Sequence, residues 1–198
     1  MPPVREMTVG GAFAAATPAF PDDRGVFLSP LLASQFEGAA GQPMFPLAQV
    51  SYSVSRRGVV RGVHFTATPP GCAKYVYCPQ GRALDIVVDL RVGSPTFGRH
   101  DSIVLDREHC PAVYFPVGVG HLFVALEDDT VMNYLLSQEY RPENELAVSA
   151  FDPELALPIP QDIEPVMSPR DRDAPTLAEA RAAGLLPLFA AGSPSAGR

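Results

Sequence analysis

From residue 47 to residue 137 the chain alternates short apolar runs with turn signals and shows no helical period between them. The runs cover 47–54, 58–65, 73–78, 82–90, 101–105, 112–115, 121–126 and 130–137. Turns are marked by Gly93-Ser94-Pro95, by Pro116 to Gly120 and by Glu127-Asp128-Asp129-Thr130. In Arg82 to Leu90 the residues Leu84, Ile86, Val88 and Leu90 fall on one face, while Asp85 and Asp89 fall on the other. A period of two belongs to a strand with two unlike faces. The two aspartates are either partners for basic residues or lie on a solvated or interface face, the latter being the better default. Eight short strands at this spacing predict an all-β fold, an antiparallel sandwich or barrel of jelly-roll type.

The flanks are weaker. Residues 1–46 read as an N-terminal arm with a small-residue run from Gly10 to Ala16, a turn at Pro21-Asp22-Asp23-Arg24-Gly25 and an apolar Val26-Phe27-Leu28. A short helix is predicted over 30–40, with Gly41 beyond its end, and another over 173–183, with Thr176 as a cap and Gly184 and Pro187 as stops. The tail 189–198 is small and polar and is expected to be disordered. One domain over 1–188 results, built on the strand region 47–137. At 198 residues such a chain buries roughly 70% of its unfolded surface and needs no disulfide or metal to fold.

The net charge of −7, with no basic stripe, argues against nucleic acid as a partner. No apolar run approaches a membrane span. Cys72, Cys78 and Cys110 are odd in number and lack metal spacing. With no signal peptide, the expectation is a cytoplasmic protein with free thiols.

The residues most suited to chemistry lie in Gly58-Val-Val-Arg-Gly-Val-His-Phe65. A histidine inside the end of a β-branched strand is held rigidly while facing a cavity. His64 shares its segment with Arg61, and Lys74 begins the next strand, where lysine is rare without a partner or a task. Of the other histidines, His121 is also in an apolar strand, whereas His100 and His109 sit in polar, turn-like surroundings. A metal-binding barrel needs closely spaced ligands, and position 66 is Thr66, so metal-free acid–base chemistry fits better. Tyr134, Tyr75 and Tyr77 are equal on composition as a further acid. Arg24 is a turn charge or an anion ligand.

Arg61-Gly-Val-His-Phe65, Ala73-Lys-Tyr75, Asp85 to Arg91 followed by Gly93 to Gly98, and Pro116 to Phe123 together resemble the dTDP-4-dehydrorhamnose 3,5-epimerase family. So do Asp23-Arg-Gly25, Tyr134, Tyr140 to Glu145, Asp152 to Leu155 and Ser168-Pro-Arg-Asp171, in order along nearly the whole chain. Ala73 to Cys78 and Ala125 to Met132 are similar to its antibiotic deoxysugar branch, such as the vancosamine-type 5-epimerases. The resemblance implies a cupin-like jelly roll, a homodimer, no metal or organic cofactor, and a dTDP-4-keto-6-deoxy sugar as substrate. It makes His64 the general base, Tyr134 the general acid, Asp171 the residue that holds His64, and Lys74 the neighbour of the ketone. Arg61 and His121 complete the sugar pocket. Arg24, Gln49, Glu145 and Arg170 fall at nucleotide and diphosphate positions, and Phe27 where an aromatic ring stacks.

Epimerising a carbon beside a ketone needs one base and one separate acid on opposite faces of the sugar. It also needs a donor at the ketone oxygen and no redox cofactor. Three positions depart from the family: Ser29 replaces a glutamate, Ser51 an asparagine, and Arg170 a lysine. In a regular strand Arg61 and His64 point to opposite faces, so a bulge or twist is expected at Gly62.

Overall fold

A computed structural model of the chain describes residues 4–189. The N-terminal region forms β1 (Val4–Glu6), β2 (Phe13–Ala15), β3 (Ala19–Asp22), β4 (Gly25–Leu28) and α1 (Ala33–Ala40). The strand-rich region forms β5 (Gln49–Ser55), β6 (Val60–Thr66), β7 (Lys74–Gln80), β8 (Arg82–Asp89), β9 (His100–Asp106), β10 (Ala112–Phe115), β11 (Val119–Ala125) and β12 (Thr130–Leu136). A 3-10 turn at Pro142–Asn144 leads into β13 (Glu145–Ala147), followed by α2 (Pro169–Arg172) and α3 (Leu177–Ala182). The eight predicted strands are all present, each within two residues of the expected ends at most positions.

Two antiparallel sheets face each other. One has six strands in the order β1-β2-β10-β7-β12-β5, the other five in the order β13-β6-β11-β8-β9, and β3 pairs with β4 as a separate hairpin. The fold is a cupin-like jelly roll. Between the sheets Val76, Cys78, Val87, Val113, Phe115, Phe123 and Met132 form a dry core. The arm is more ordered than its composition suggests. Ala12, Ala14 and Ala15 are small enough for β2 to lie flat beside β10 (Tyr114 opposite Phe13). Helix α1 then pins the arm through Phe36, whose ring centroid lies 4.8 Å from that of Tyr114. Burying a side chain of this size contributes about 1.5–3 kcal/mol.

The default reading of β8 needs correction. Its alternation is as expected, but the aspartates are not on a solvated or interface face, and Asp89 has the basic partner of the other reading in Arg91. Leu84, Ile86, Val88 and Leu90 face outward and are covered by Val148, Ala150, Leu155, Leu177 and Leu186 of the C-terminal wrap. Asp85 and Asp89 face the barrel interior and are fully buried. The irregular chain after Tyr140 is therefore a second layer. Asp152 staples it by accepting the N–H groups of Glu154, Leu155 and Leu177. Helix α3 is capped as predicted by Thr176, with Glu179 reaching back in a capping box. It starts four residues later than expected because Pro175 bars its predecessor from helical φ/ψ. Phe189, assigned to the tail, donates its N–H to Val92 and stacks 5.3 Å from the Arg91 guanidinium. The rest of the tail call, 190–198, lies outside the described residues. Among the described residues no helix is long and apolar enough to cross a membrane.

Candidate active site

The bulge expected in β6 is present. His64 pairs with His121 and Arg61 with Phe123, so Gly62 and Val63 together oppose Leu122. The extra residue resets the alternation: Val60, Val63 and Phe65 pack outward, and Arg61, His64 and Thr66 share the inner face. Only glycine fits at Gly62, where φ is +124° and a Cβ would stand 2.4 Å from the His121 carbonyl oxygen.

His64 is held from the C-terminal layer. Its Nε2 lies 2.6 Å from Asp171 Oδ1, and the two side chains are 28% and 5% exposed. Asp171 is presented by the short helix α2, which Pro169 opens and Ser168 caps by accepting the Asp171 N–H at 3.1 Å. Burial of Asp171 would raise its pKa, but the hydrogen bond and charge of His64, the Ser168 bond and the nearby Arg170 together hold it below the usual carboxylate range. Asp171 therefore stays ionised against the imidazole.

Facing this pair across the barrel are Lys74 on β7 and Tyr134 on β12. Burial pushes the Lys74 pKa down, with Glu145 and Cys72 opposing and Arg170 adding to the fall. Burial pushes the Tyr134 phenol well up, aided by the charge of Asp85 and opposed by Ser53 and Arg61. The Tyr134 hydroxyl lies 3.2 Å from Ser53 Oγ, and its ring centroid is 6.1 Å from that of His121. His121 is itself tied by Nε2 to Asp85 Oδ2 at 2.6 Å. Arg61 Nε reaches toward Ser55 Oγ at 3.4 Å.

A cavity of about 400 Å³ opens at this end of the barrel, with Gln49, Lys74, Tyr134 and Glu145 in its wall. Thr66, two residues along the inner face from His64, also lines it. Gln49 is fixed by donating to Ser51 at 2.7 Å and accepting the Tyr140 N–H at 2.7 Å. The serine that replaces the family's asparagine thus still orients the cavity wall. Sequence reasoning missed Thr66, Cys72, Gln138 and Arg141 as lining residues; the last two lie in the 138–144 loop, which has no periodicity to read.

Of the expected residues, His64, Asp171, Arg61, His121 and Arg170 are not in the lining of this cavity, and two more lie on the exposed β3–β4 hairpin. Arg24 lies on the β3–β4 turn, its guanidinium 2.5 Å from Asp22 and its side chain 90% exposed. Phe27 is 69% exposed, its ring 6.4 Å from that of its hairpin partner Phe20. Ser29 is part of the same hairpin region, its N–H donating to Pro18.

A cupin-like barrel with a half-buried tyrosine and a half-buried lysine in the wall of one cavity and a histidine–carboxylate pair on its inner face belongs to the isomerases, among the nucleotide-sugar epimerases. A family model described as dTDP-4-dehydrorhamnose 3,5-epimerase matches residues 6–179, and the chain belongs to that family. The dTDP-4-dehydrorhamnose 3,5-epimerase of Streptomyces griseus is 48% identical over 186 residues, covering 94% of this chain and 92% of the relative. NovW, a 4-keto-6-deoxy sugar epimerase from the novobiocin biosynthetic gene cluster of Streptomyces spheroides, has a TM-score of 0.90 at 47% identity, covering 94% of this chain and 92% of its own. ChmJ, a 3'-monoepimerase from Streptomyces bikiniensis, was solved with dTDP as a double variant, one histidine changed to asparagine and one tyrosine to phenylalanine. It has a TM-score of 0.89 at 43% identity, covering 93% and 92%.

Proposed function

We propose that this protein epimerises a dTDP-4-keto-6-deoxyhexose at C5, or at C3 and C5, in deoxysugar biosynthesis of the antibiotic type. The observation that carries the reading is the geometry of His64, locked to Asp171 at 2.6 Å on the inner face of β6, two residues from Thr66 in the wall of a cavity that also holds Tyr134 and Lys74. His64 removes the proton beside the ketone. Tyr134, kept protonated by burial, delivers one to the opposite face. The enolate charge gathers on the C4 oxygen, where Lys74 stands. An ammonium disfavoured by burial gains most when a negative charge develops next to it, so the interaction strengthens in the transition state rather than in the ground state. The ketone itself acidifies the C–H bond, so the chemistry calls for no cofactor.

Relatives of similar identity bear the names of double and of C3-only epimerases, which keeps a C3-only reading beside the first. Deuterium uptake from D₂O, followed by NMR on dTDP-4-keto-6-deoxyglucose and its 2-deoxy and 3-amino derivatives, separates them. Label at C5 alone or at both carbons supports the first reading, and label at C3 alone the second. Exchange at neither carbon with any of these sugars sinks both.

The working unit is a homodimer. The outer face of edge strand β5 exposes Val50, Tyr52 and Val54, at 63%, 72% and 54%, and the β3–β4 hairpin exposes Phe20, Val26 and Phe27. An unpaired edge with such a face is a pairing surface. A hairpin donated by the partner also offers Arg24 and Phe27 a route to a nucleotide site that their own chain does not. Sedimentation should give twice the chain mass, and Tyr52→Glu should give monomers.

A further inference from the structure

Within the barrel, one buried carboxylate is unaccounted for by the reaction scheme. Asp85 is fully buried. Its Oδ2 sits 2.6 Å from Nε2 of His121, and its Oδ1 has no hydrogen-bond partner. His121 stands directly opposite His64 in the β6–β11 register. The two imidazoles thus repeat one arrangement, each with Nε2 committed to a carboxylate at 2.6 Å. Among the described residues, Nδ1 of His121 has no protein partner. The ring is wedged between Phe115, at 4.4 Å between centroids, and Phe123, at 6.2 Å, with Tyr134 at 6.1 Å.

Asp89, on the same face of β8, shows what a carboxylate placed for the fold looks like. It accepts from the Arg91 backbone and guanidinium, from Ser94 and from Thr96, leaving neither oxygen free. Asp85 serves one group only, and that group is a histidine on the inner face beside the candidate base. A carboxylate at one ring nitrogen fixes the tautomer and plane of the ring and so decides what the other nitrogen presents.

We propose that Asp85 is a positioning residue for the epimerisation. By accepting the Nε2–H of His121 it directs Nδ1 of that ring toward the sugar, next to Nδ1 of His64, where it accepts a hydrogen bond from a ring hydroxyl and holds the reacting C–H against the base. This rests on the assignment of His64 as base. Without the carboxylate the His121 ring loses its fixed tautomer and the sugar loses a contact that aligns it.

The test compares Asp85→Asn and Asp85→Ala with the wild-type enzyme, using turnover and D₂O exchange on dTDP-4-keto-6-deoxyglucose together with thermal unfolding. Expected are a kcat lower by about tenfold to a hundredfold, a KM that changes less, and partial recovery of Asp85→Ala on adding formate, which a packing defect would not show. Unchanged kcat and KM in Asp85→Asn overturn the proposal, as does activity lost only in step with folded protein. If both variants fail to fold, ¹⁵N NMR of the wild-type enzyme decides. His121 should carry its proton on Nε2, and its Nδ1 resonance should move on adding dTDP-quinovose. The opposite tautomer, or no response, overturns the proposal. Retained exchange in His64→Ala would instead bring down the base assignment beneath it. An inactive His64→Ala beside an unimpaired Asp85→Asn removes this proposal alone.

Discussion

Asp85 and Asp89 lie four residues apart on the inner face of β8, and their surroundings treat them differently. Around Asp89 the chain supplies a bidentate Arg91, two hydroxyls and a backbone N–H, all within 2.5–3.0 Å. Around Asp85 it supplies one imidazole and leaves an oxygen bare. The other buried side-chain oxygen without a partner among the described residues is Thr66 Oγ1, and Thr66 lines the cavity. An unsatisfied buried polar atom costs about 1–3 kcal/mol. Both belong to the sheet that carries His64, and the contrast shows how the molecule divides its labour. Asp89 is built into the fold, while Asp85 and Thr66 keep lone pairs uncommitted.

The sharpest way to break this comparison is at His64. His64→Ala should lower turnover by about 10⁴-fold, the upper range for a positioned acid–base group, while Asp89 and its partners keep the barrel folded with an unfolding midpoint near that of the parent. A sugar-nucleotide binding module would lose neither affinity nor role from this change. Retained exchange from D₂O would end the catalytic reading.

At Asp89 the expected effect is on stability and not on chemistry. Asp89→Asn leaves the buried Arg91 guanidinium without its counter-charge and should cost about 3–5 kcal/mol in urea unfolding, with turnover per folded molecule unchanged. Burial alone would raise the Asp89 pKa, but the bonds from Arg91, Ser94 and Thr96 and the Arg91 charge outweigh it and hold the pKa below 3.8. A depressed folded-state pKa means a stabilisation present above the unfolded value of about 3.9. It is lost as pH falls through the folded value. Acid unfolding of the parent should therefore set in below about pH 4, and in Asp89→Asn this contribution to the acid limb should disappear. If Asp89→Asn instead lost kcat and kept its stability, the division between the two aspartates would be wrong.

The strands were legible because a period of two, bounded by turn residues, is a local property, and the eight runs from 47 to 137 carry it without interruption. What could not be read locally was which side of β8 is inside. Leu84, Ile86 and Val88 have the composition of a core face, and they are one, but the core they belong to is made by Leu155, Leu177 and Leu186, a hundred residues away in some cases and in a proline-rich stretch with little periodicity. The same distance hid the partner of His64. Residue type and strand context single out the histidine, whereas Asp171 sits 107 residues further on and enters only through likeness to a family. The bulge at Gly62 lies between these extremes, because a glycine flanked by two residues that both need the cavity is a legible contradiction. Arg24 and Phe27 mark the limit of a single chain, since their expected place is not within its own cavity.

A smaller change within the active end is expected at Tyr134. Tyr134→Phe removes the proton donor but keeps the ring against His121, so turnover should fall by about 10²-fold, with the hydroxyl's contact to Ser53 worth only about 1 kcal/mol of stability. Exchange of the substrate C–H from D₂O should persist more than net epimerisation does, because His64 still removes the proton. Loss of both in equal measure would mean that the two groups do not act on separate steps.

The finest distinction lies between Lys74 and Tyr134, which burial drives in opposite directions. Lys74 falls below its ordinary 10.5, and Tyr134 rises well above its ordinary 10.0. As pH rises the lysine therefore gives up its proton first, and the alkaline limb of kcat belongs to it. Lys74→Arg, which cannot deprotonate in this range, should flatten that limb at a reduced plateau, and Tyr134→Phe should leave its midpoint in place. Glu145 supplies the largest opposing influence, its carboxylate supporting the ammonium. Glu145→Gln should then move the limb to lower pH with only a modest loss at neutrality. A limb that ignores both Lys74→Arg and Glu145→Gln would take the lysine away from the developing enolate, and the donor at the ketone oxygen would have to be sought among Arg61 and His121 instead.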